Sequence, residues 1–258
     1  MPLVGIYASF DGSFFWQIML GTSFIGPALL VLGITLVSQT AGIVLGFPLA
    51  LGRISRNPLF KLPADLYLWV FRGTPLLLQI LFWYDGTSEL TNNSPFLYPI
   101  NRDPIIAGAL ALALNEAAYM AEIIRSGLQA VDPGQVDAAK ALGMTRLQVM
   151  RRIVIPQAMR IIVPPTFNEY INMSKNTSLL VVISVMELMG TAQAYYSANL
   201  RVFEALAVAA IWYLLITSVL TRIQGMIEKR FGERQDSQGR DWGVFMRRAF
   251  TGGGLRSR

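Results

Sequence analysis

Cysteine and histidine are both missing from this 258-residue chain. Their absence excludes disulfides, thiolate nucleophiles, zinc sites built on Cys or His, and imidazole acid–base chemistry. Charge is scarce as well: Asp, Glu, Lys and Arg make up 15% of the residues, against 53% hydrophobic. A soluble domain carries roughly a quarter charged residues, so the balance is that of a membrane protein. No G-x-x-x-x-G-K-[ST] run occurs, and the chain therefore has no P-loop of its own for ATP. There is no internal repeat of the kind that marks many secondary transporters. The N-terminal stretch lacks the basic region of a cleavable signal, and Asp11 precedes its apolar run. The formal net charge of +6 is clustered, and in an apolar chain such clusters mark cytoplasmic loops rather than a nucleic-acid surface.

Not one Lys or Arg precedes Arg53. A first span over about 27–52 meets the need for about 20 apolar residues to cross a bilayer. Arg53, Arg56 and Lys61 follow it at once, which puts that loop inside and the N-terminus outside. Further spans are predicted over 65–85, 104–124, 161–185 and 203–223. They are joined by a polar external loop over 86–103 and a basic internal loop over 125–160, and Arg222, Lys229 and Arg230 land inside. The fold class is thus an all-α membrane protein with five transmembrane helices, N-terminus outside, C-terminus cytoplasmic. Residues 186–199 read as a short helix and loop near the outer surface, with a sixth crossing opposed by the charges at 229–230. Residues 1–22 form an external segment in which Phe14, Phe15, Trp16, Ile18 and Met19 resemble an interfacial helix. Residues 23–231 form the transmembrane domain and 232–258 a basic tail. In that tail Trp242, Phe245, Met246, Ala249 and Phe250 oppose Arg247 and Arg248; we read it as a disordered tail, with adhesion to anionic lipid as the alternative.

The internal loop carries two short helix signals. Asp132 suits an N-cap, Pro133 the first turn, and Gln135 the return bond of a capping box. Gly143 stops this helix; Thr145 and Gln148 repeat the capping pattern for a second one, and Pro156 is expected to limit it. Ala138, Ala139 and Ala141 give a smooth face, while Lys140, Arg146, Arg151 and Arg152 place the pair in water. Such a hairpin suits docking onto a soluble partner.

This stretch resembles the EAA loop of the permease subunits of type I ATP-binding-cassette importers, whose pattern is E-A-A-x3-G-x9-I-x-L-P. The pattern falls on Asp137, Ala138, Ala139, Gly143, Ile153, Ile155 and Pro156, with Asp137 for Glu and Ile155 for Leu as departures. The literal Glu116-Ala117-Ala118 is a decoy, because Glu122 stands where the pattern wants glycine. Three further segments resemble the polar-amino-acid branch: Arg72-Gly73-Thr74-Pro75-Leu76 with Gln79; Ala118-Tyr119-x-Ala121-Glu122-Ile123 with Arg125; and Lys175-Asn176-Thr177-Ser178-Leu179. The resemblance implies a membrane subunit of an ATP-driven importer in the bacterial plasma (inner) membrane, crossing it several times. Its implied partners are a pair of ATP-binding-cassette ATPase subunits, a second permease subunit (identical or related), an external solute-binding protein and membrane lipid, with no nucleic acid. It implies no catalytic residue, metal or cofactor in this chain; ATP and Mg are bound by the partner ATPase. The ATPase-docking residues it implies are Asp137, Ala138, Ala139, Ala141, Leu142, Gly143 and Met144.

Ionisable residues at membrane depth cost several kcal/mol and by default point to function. Arg72, Glu116, Glu122, Glu169 and Lys175 are of this kind. Pro165, Glu169, Asn172 and Asn176 share one helical stripe, which should face a water-filled path or a partner subunit. Pro164-Pro165 should loosen that helix and free carbonyls for the lining. Glu169, Asn172, Asn176 and Arg72 are the substrate-path candidates; bonding among themselves and to neighbouring helices is the alternative. For Arg72 that alternative is an acidic partner locking the second span, and for Glu122 it is an i,i+3 pair with Arg125. In the family the last motif is commonly Lys-Asp-Thr-Ser-Leu. Asn176 in the Asp position removes a negative charge, so the expectation is an acidic or neutral amino acid such as glutamate or glutamine. Two other classes remain: a secondary transporter or channel for small polar solutes, and an intramembrane enzyme using Glu116, Glu122 or Glu169.

Overall fold

A computed structural model describes residues 10–87 and 102–232. Residues 1–9, 88–101 and 233–258 lie outside the described residues, as do the expectations placed on them. The described residues form helices only: α1 (Gly12–Leu20), α2 (Ile25–Ile54), α3 (Pro58–Gly73), α4 (Leu76–Leu81), α5 (Pro104–Gln129), α6 (Pro133–Ala141), α7 (Arg146–Val149), α8 (Ile155–Asn176), α9 (Leu188–Asn199) and α10 (Val202–Gly232), with 3₁₀ and π turns between some of them. Among the described residues, Thr22–Ile54, Pro104–Gln129 and Val202–Arg230 are straight segments long and apolar enough to cross a membrane. Two bent pairs raise the number to as many as five: Pro58–Gly73 with Leu76–Gly86 at 105°, and Arg146–Ile183 with Leu188–Asn199 at 46°.

The centre of the fold is the pair α2 and α5. Gly42 and Gly46 let the two backbones close together: a Cβ at Gly46 would lie 2.8 Å from Met120 Cβ and 2.9 Å from the Ala117 carbonyl. Between membrane helices, close packing of small residues replaces the hydrophobic drive available in water. The pairing runs parallel, because Ser38 bonds Ala109, Gly42 meets Glu116 and Arg53 reaches Glu122. Helix α8 runs antiparallel to α5, with Ile162 against Gly127 and Leu180 against Gly108. Helix α10 in turn opposes α8, with Gln224 bonded to Asn168 and Tyr213 to Glu187.

Two readings change. The second span is not one helix: Thr74 is extended ahead of Pro75, as a residue preceding proline tends to be, and the chain turns sharply there. Pro156 does not end the second short helix. A π turn over Met150–Val154 absorbs it, and the chain continues through α8 to Ile183. The wider turn gives the carbonyls ahead of the proline room that an unbroken α-helix would deny them. Helix α1, read from the sequence as interfacial, packs one face on the protein. Ile18 is buried, Phe14, Phe15 and Met19 join a cluster with α2, α9 and α10, and only Trp16 and Leu20 of its large apolar residues stand exposed. The Asp11 N–H donates to Glu204 at 2.7 Å, and Arg201 pairs with Asp11 at 3.3 Å.

Gly46→Val should overpack the α2–α5 seam by about 1–3 kcal/mol, seen as a lower melting temperature of the purified protein. Gly33→Ala, where a Cβ meets nothing within 4 Å, should leave the melting temperature unchanged.

Candidate functional site

The elbow between α6 and α7 is built by local chemistry. Asp132 accepts the Gly134 N–H at 2.7 Å and starts α6. Gln135 does not return a capping bond; its side-chain oxygen instead accepts from Gln157 at 2.6 Å, tying α6 to α8. Gly143 turns the chain with φ +79°, a left-handed conformation that side chains disfavour. Thr145 and Gln148 then form the expected capping box, with bonds of 3.3 and 2.8 Å. Of the docking residues suggested by the sequence, Asp137, Ala138, Ala141, Leu142 and Gly143 are exposed, Leu142 at 84%. Ala139 is 4% exposed and belongs to the core, with Met144 packed beside it. The alanine face is therefore split: Ala139 anchors α6 while Ala138 and Ala141 remain outward. The literal Glu116-Ala117-Ala118 lies buried at the α2–α5 seam, where no soluble partner reaches.

A polar layer crosses the helical body. Gln39 donates to Glu116 at 2.9 Å, and Glu116 is itself only 4% exposed. Glu169 on α8 stands close enough to act on Glu116 electrostatically, and Asn172 donates to Glu169 at 3.5 Å. Glu169, Asn172 and Asn176 are all half-buried, Lys175 is exposed, and α8 remains helical through Pro164 and Pro165. Those prolines leave the carbonyls four residues earlier without their helical donors.

At the break between α3 and α4, Gln79 acts as a clamp. Its amide donates to the Phe71 carbonyl at 2.9 Å and to the Thr74 carbonyl and hydroxyl at 3.1 and 2.9 Å, while it accepts from Asn115 at 3.0 Å. A bend at membrane depth requires such substitutes for lost backbone bonds. Asn115 and Gln39 are neither ionisable nor on the α8 stripe, so residue type and helical spacing alone do not single them out. The run Ser38-Gln39-Thr40 inside an apolar span was the available signal for Gln39.

Arg72 belongs to a different cluster. Glu122 binds Arg125 one turn on and also Arg53, and Arg72 stands 3.8 Å from it with its guanidinium 5.6 Å from the centre of the Tyr119 ring. Arg53 also pairs with Asp65 at 2.7 Å. Among the described residues, no hydrogen bond or ion pair joins Arg72 to the stripe on α8.

A family model described as "Binding-protein-dependent transport system inner membrane component" matches residues 42–233. The chain belongs to that family. Over 210 residues it is 47% identical to an arginine transport system permease protein of Corynebacterium glutamicum, a match covering 79% of this chain and 66% of that protein. It is 42% identical over 220 residues to an octopine transport system permease protein of Rhizobium radiobacter, covering 85% of this chain and 89% of the relative. The crystal structure of an amino acid ABC transporter with histidines superposes on 86% of this chain and 100% of its own, with a TM-score of 0.76 and 36% identity. Permeases of this family are inner membrane components, and the helical body described above fits that place.

Gln79→Leu keeps the bulk but removes the clamp. It should cost about 1–3 kcal/mol through the buried polar groups it strands, measured as loss of thermal stability in detergent.

Proposed function

We propose that this chain is the permease subunit of an ATP-driven importer of amino acids, with its N-terminus outside and the α6–α7 elbow and C-terminus in the cytoplasm. The carrying observation is where the fold gathers its basic residues. Parallel α2 and α5, with antiparallel α8 and α10, bring Arg53, Arg125, the elbow and the end of α10 to one end of the body. Lys61, Lys140, Arg151, Arg152, Lys229 and Arg230 lie on the segments that cluster there. The opposite end holds the Asp11–Arg201–Glu204 contacts. Such an excess of Lys and Arg orients membrane proteins with that end inward.

In this reading a separate pair of ATPase subunits docks on the exposed part of the elbow: Asp137, Ala138, Ala141, Leu142 and Gly143. Closure of that pair on ATP pushes the elbow, and a second permease subunit completes a path lined by Glu169, Asn172 and Asn176. An external binding protein delivers the solute. The exposed Leu142, among charged neighbours, provides an apolar contact for the ATPase. Leu142→Glu should abolish ATP-dependent uptake in reconstituted vesicles without lowering the amount of inserted protein. Gly143→Glu should do the same but also strains the turn, so Leu142→Glu decides. Normal uptake by Leu142→Glu would refute the docking role.

For the solute, the expectation of an acidic or neutral amino acid finds support in relatives named for glutamine, such as the putative permease of Rickettsia bellii at 36% identity. Relatives named for arginine, for octopine, and for histidine, lysine, arginine and ornithine favour a cationic one. The site agrees with the latter. Although Asn176 is uncharged, Glu169 on the same stripe keeps a carboxyl group on the path. We therefore favour a cationic amino acid. Labelled arginine should be taken up in preference to glutamate and glutamine by the reconstituted complex; preferential uptake of glutamate would overturn this choice while leaving the importer assignment intact.

A further inference from the structure

A cavity of about 800 Å³ opens where α3 passes the C-terminal ends of α2 and α5. Its charged lining is uneven. Arg53, Lys61, Arg72 and Arg125 face it, against Asp65 in the wall and Glu122, which pairs with three of these arginines. Four cations meet two carboxylates, leaving two positive charges in excess. The compensation is also spatially partial: Glu122 is engaged closely by Arg125 and Arg53, Arg72 reaches it only at 3.8 Å, and Lys61 makes no ion pair among the described residues.

The surface beside the cavity is apolar. Leu59, Leu62, Leu66 and Trp69 follow one another at helical spacing along α3, and all stand exposed, Trp69 at 74%. Trp69 also lines the cavity. Tryptophan is favoured at the boundary between headgroups and hydrocarbon. A cationic recess bordered by a tryptophan and a leucine stripe matches one kind of molecule, an anionic head carrying acyl chains. The chain's own tail beyond residue 232 is basic and would be repelled.

We propose that this cavity binds the phosphodiester headgroup of an anionic phospholipid, with its acyl chains along the Leu59–Trp69 face. The excess of two positive charges suits two phosphates, as in cardiolipin. Placing the lipid in the inner leaflet rests on the orientation proposed above; the binding itself does not.

The test uses the purified full chain in neutral detergent, titrated with cardiolipin or phosphatidylcholine and read by native mass spectrometry. Cardiolipin should be retained over phosphatidylcholine. Each cation near an anionic surface is worth about 1 kcal/mol, so Lys61→Ala should weaken retention about fivefold and Lys61→Glu about 25-fold. Lys61 is exposed, and circular dichroism should show both variants folded. Equal retention of the two lipids, or unchanged retention by Lys61→Glu, would overturn the proposal. Emptying of the site by millimolar inorganic phosphate would overturn the lipid assignment in favour of a soluble anion. Uptake plays no part in this readout, so failure of the importer reading and failure of lipid binding are separately visible.

Discussion

The close approach of α2 and α5 is the constraint on which the remaining structure depends. Two glycines on α2 face Glu116, Ala117 and Met120 with no room for a methyl group. This contact fixes the vertical register of both helices. Register then decides which polar groups meet: Gln39 with Glu116 in the interior, and Arg53 with Glu122 toward one end. A slip of one turn would strand both pairs in a low-dielectric setting, where unpaired polar groups are costly. The glycines thus determine the electrostatics of the body without carrying any charge.

Both helix interruptions are accommodated rather than avoided. At Thr74–Pro75 the missing backbone bonds are replaced by one glutamine, itself held by an asparagine on α5. Near residue 187 a buried glutamate caps α9 through the Met189 and Gly190 N–H groups and accepts from Tyr213 of α10. In each case a side chain from the element that follows the bend supplies the bond, and a second helix holds that side chain in place. The bends are therefore specified features of the packing.

Much of this was legible in the chain. Apolar lengths located the segments that fold as long helices; among the described residues three are long and apolar enough to cross a membrane, and up to five if each bent pair is one span. Cap residues located the elbow, because both signals are local. Glu122 with Arg125 was legible for the same reason. What escaped required partners distant in sequence. Nothing near Ala139 says that it joins the buried cluster holding Val149 and Val154 instead of facing solvent, and nothing near Gln135 says that Gln157 will take its side chain. Pro156 was misread because proline usually ends a helix, and a π turn that admits it leaves no mark in residue type. The broken second span was hidden for a different reason: hydropathy averages across Thr74–Pro75 and sees one apolar stretch.

The continuity of the segment from Arg146 to Ile183 has a mechanical consequence. At about 1.5 Å per residue this is a rod nearly 60 Å long, roughly twice the thickness of the hydrocarbon layer, and the stripe of Glu169, Asn172 and Asn176 is part of it. No loop lies between the elbow and that stripe to absorb a displacement. The π turn and Pro164–Pro165 are the two irregularities on that path, so a tilt at the elbow reaches the polar groups less whatever these two points absorb.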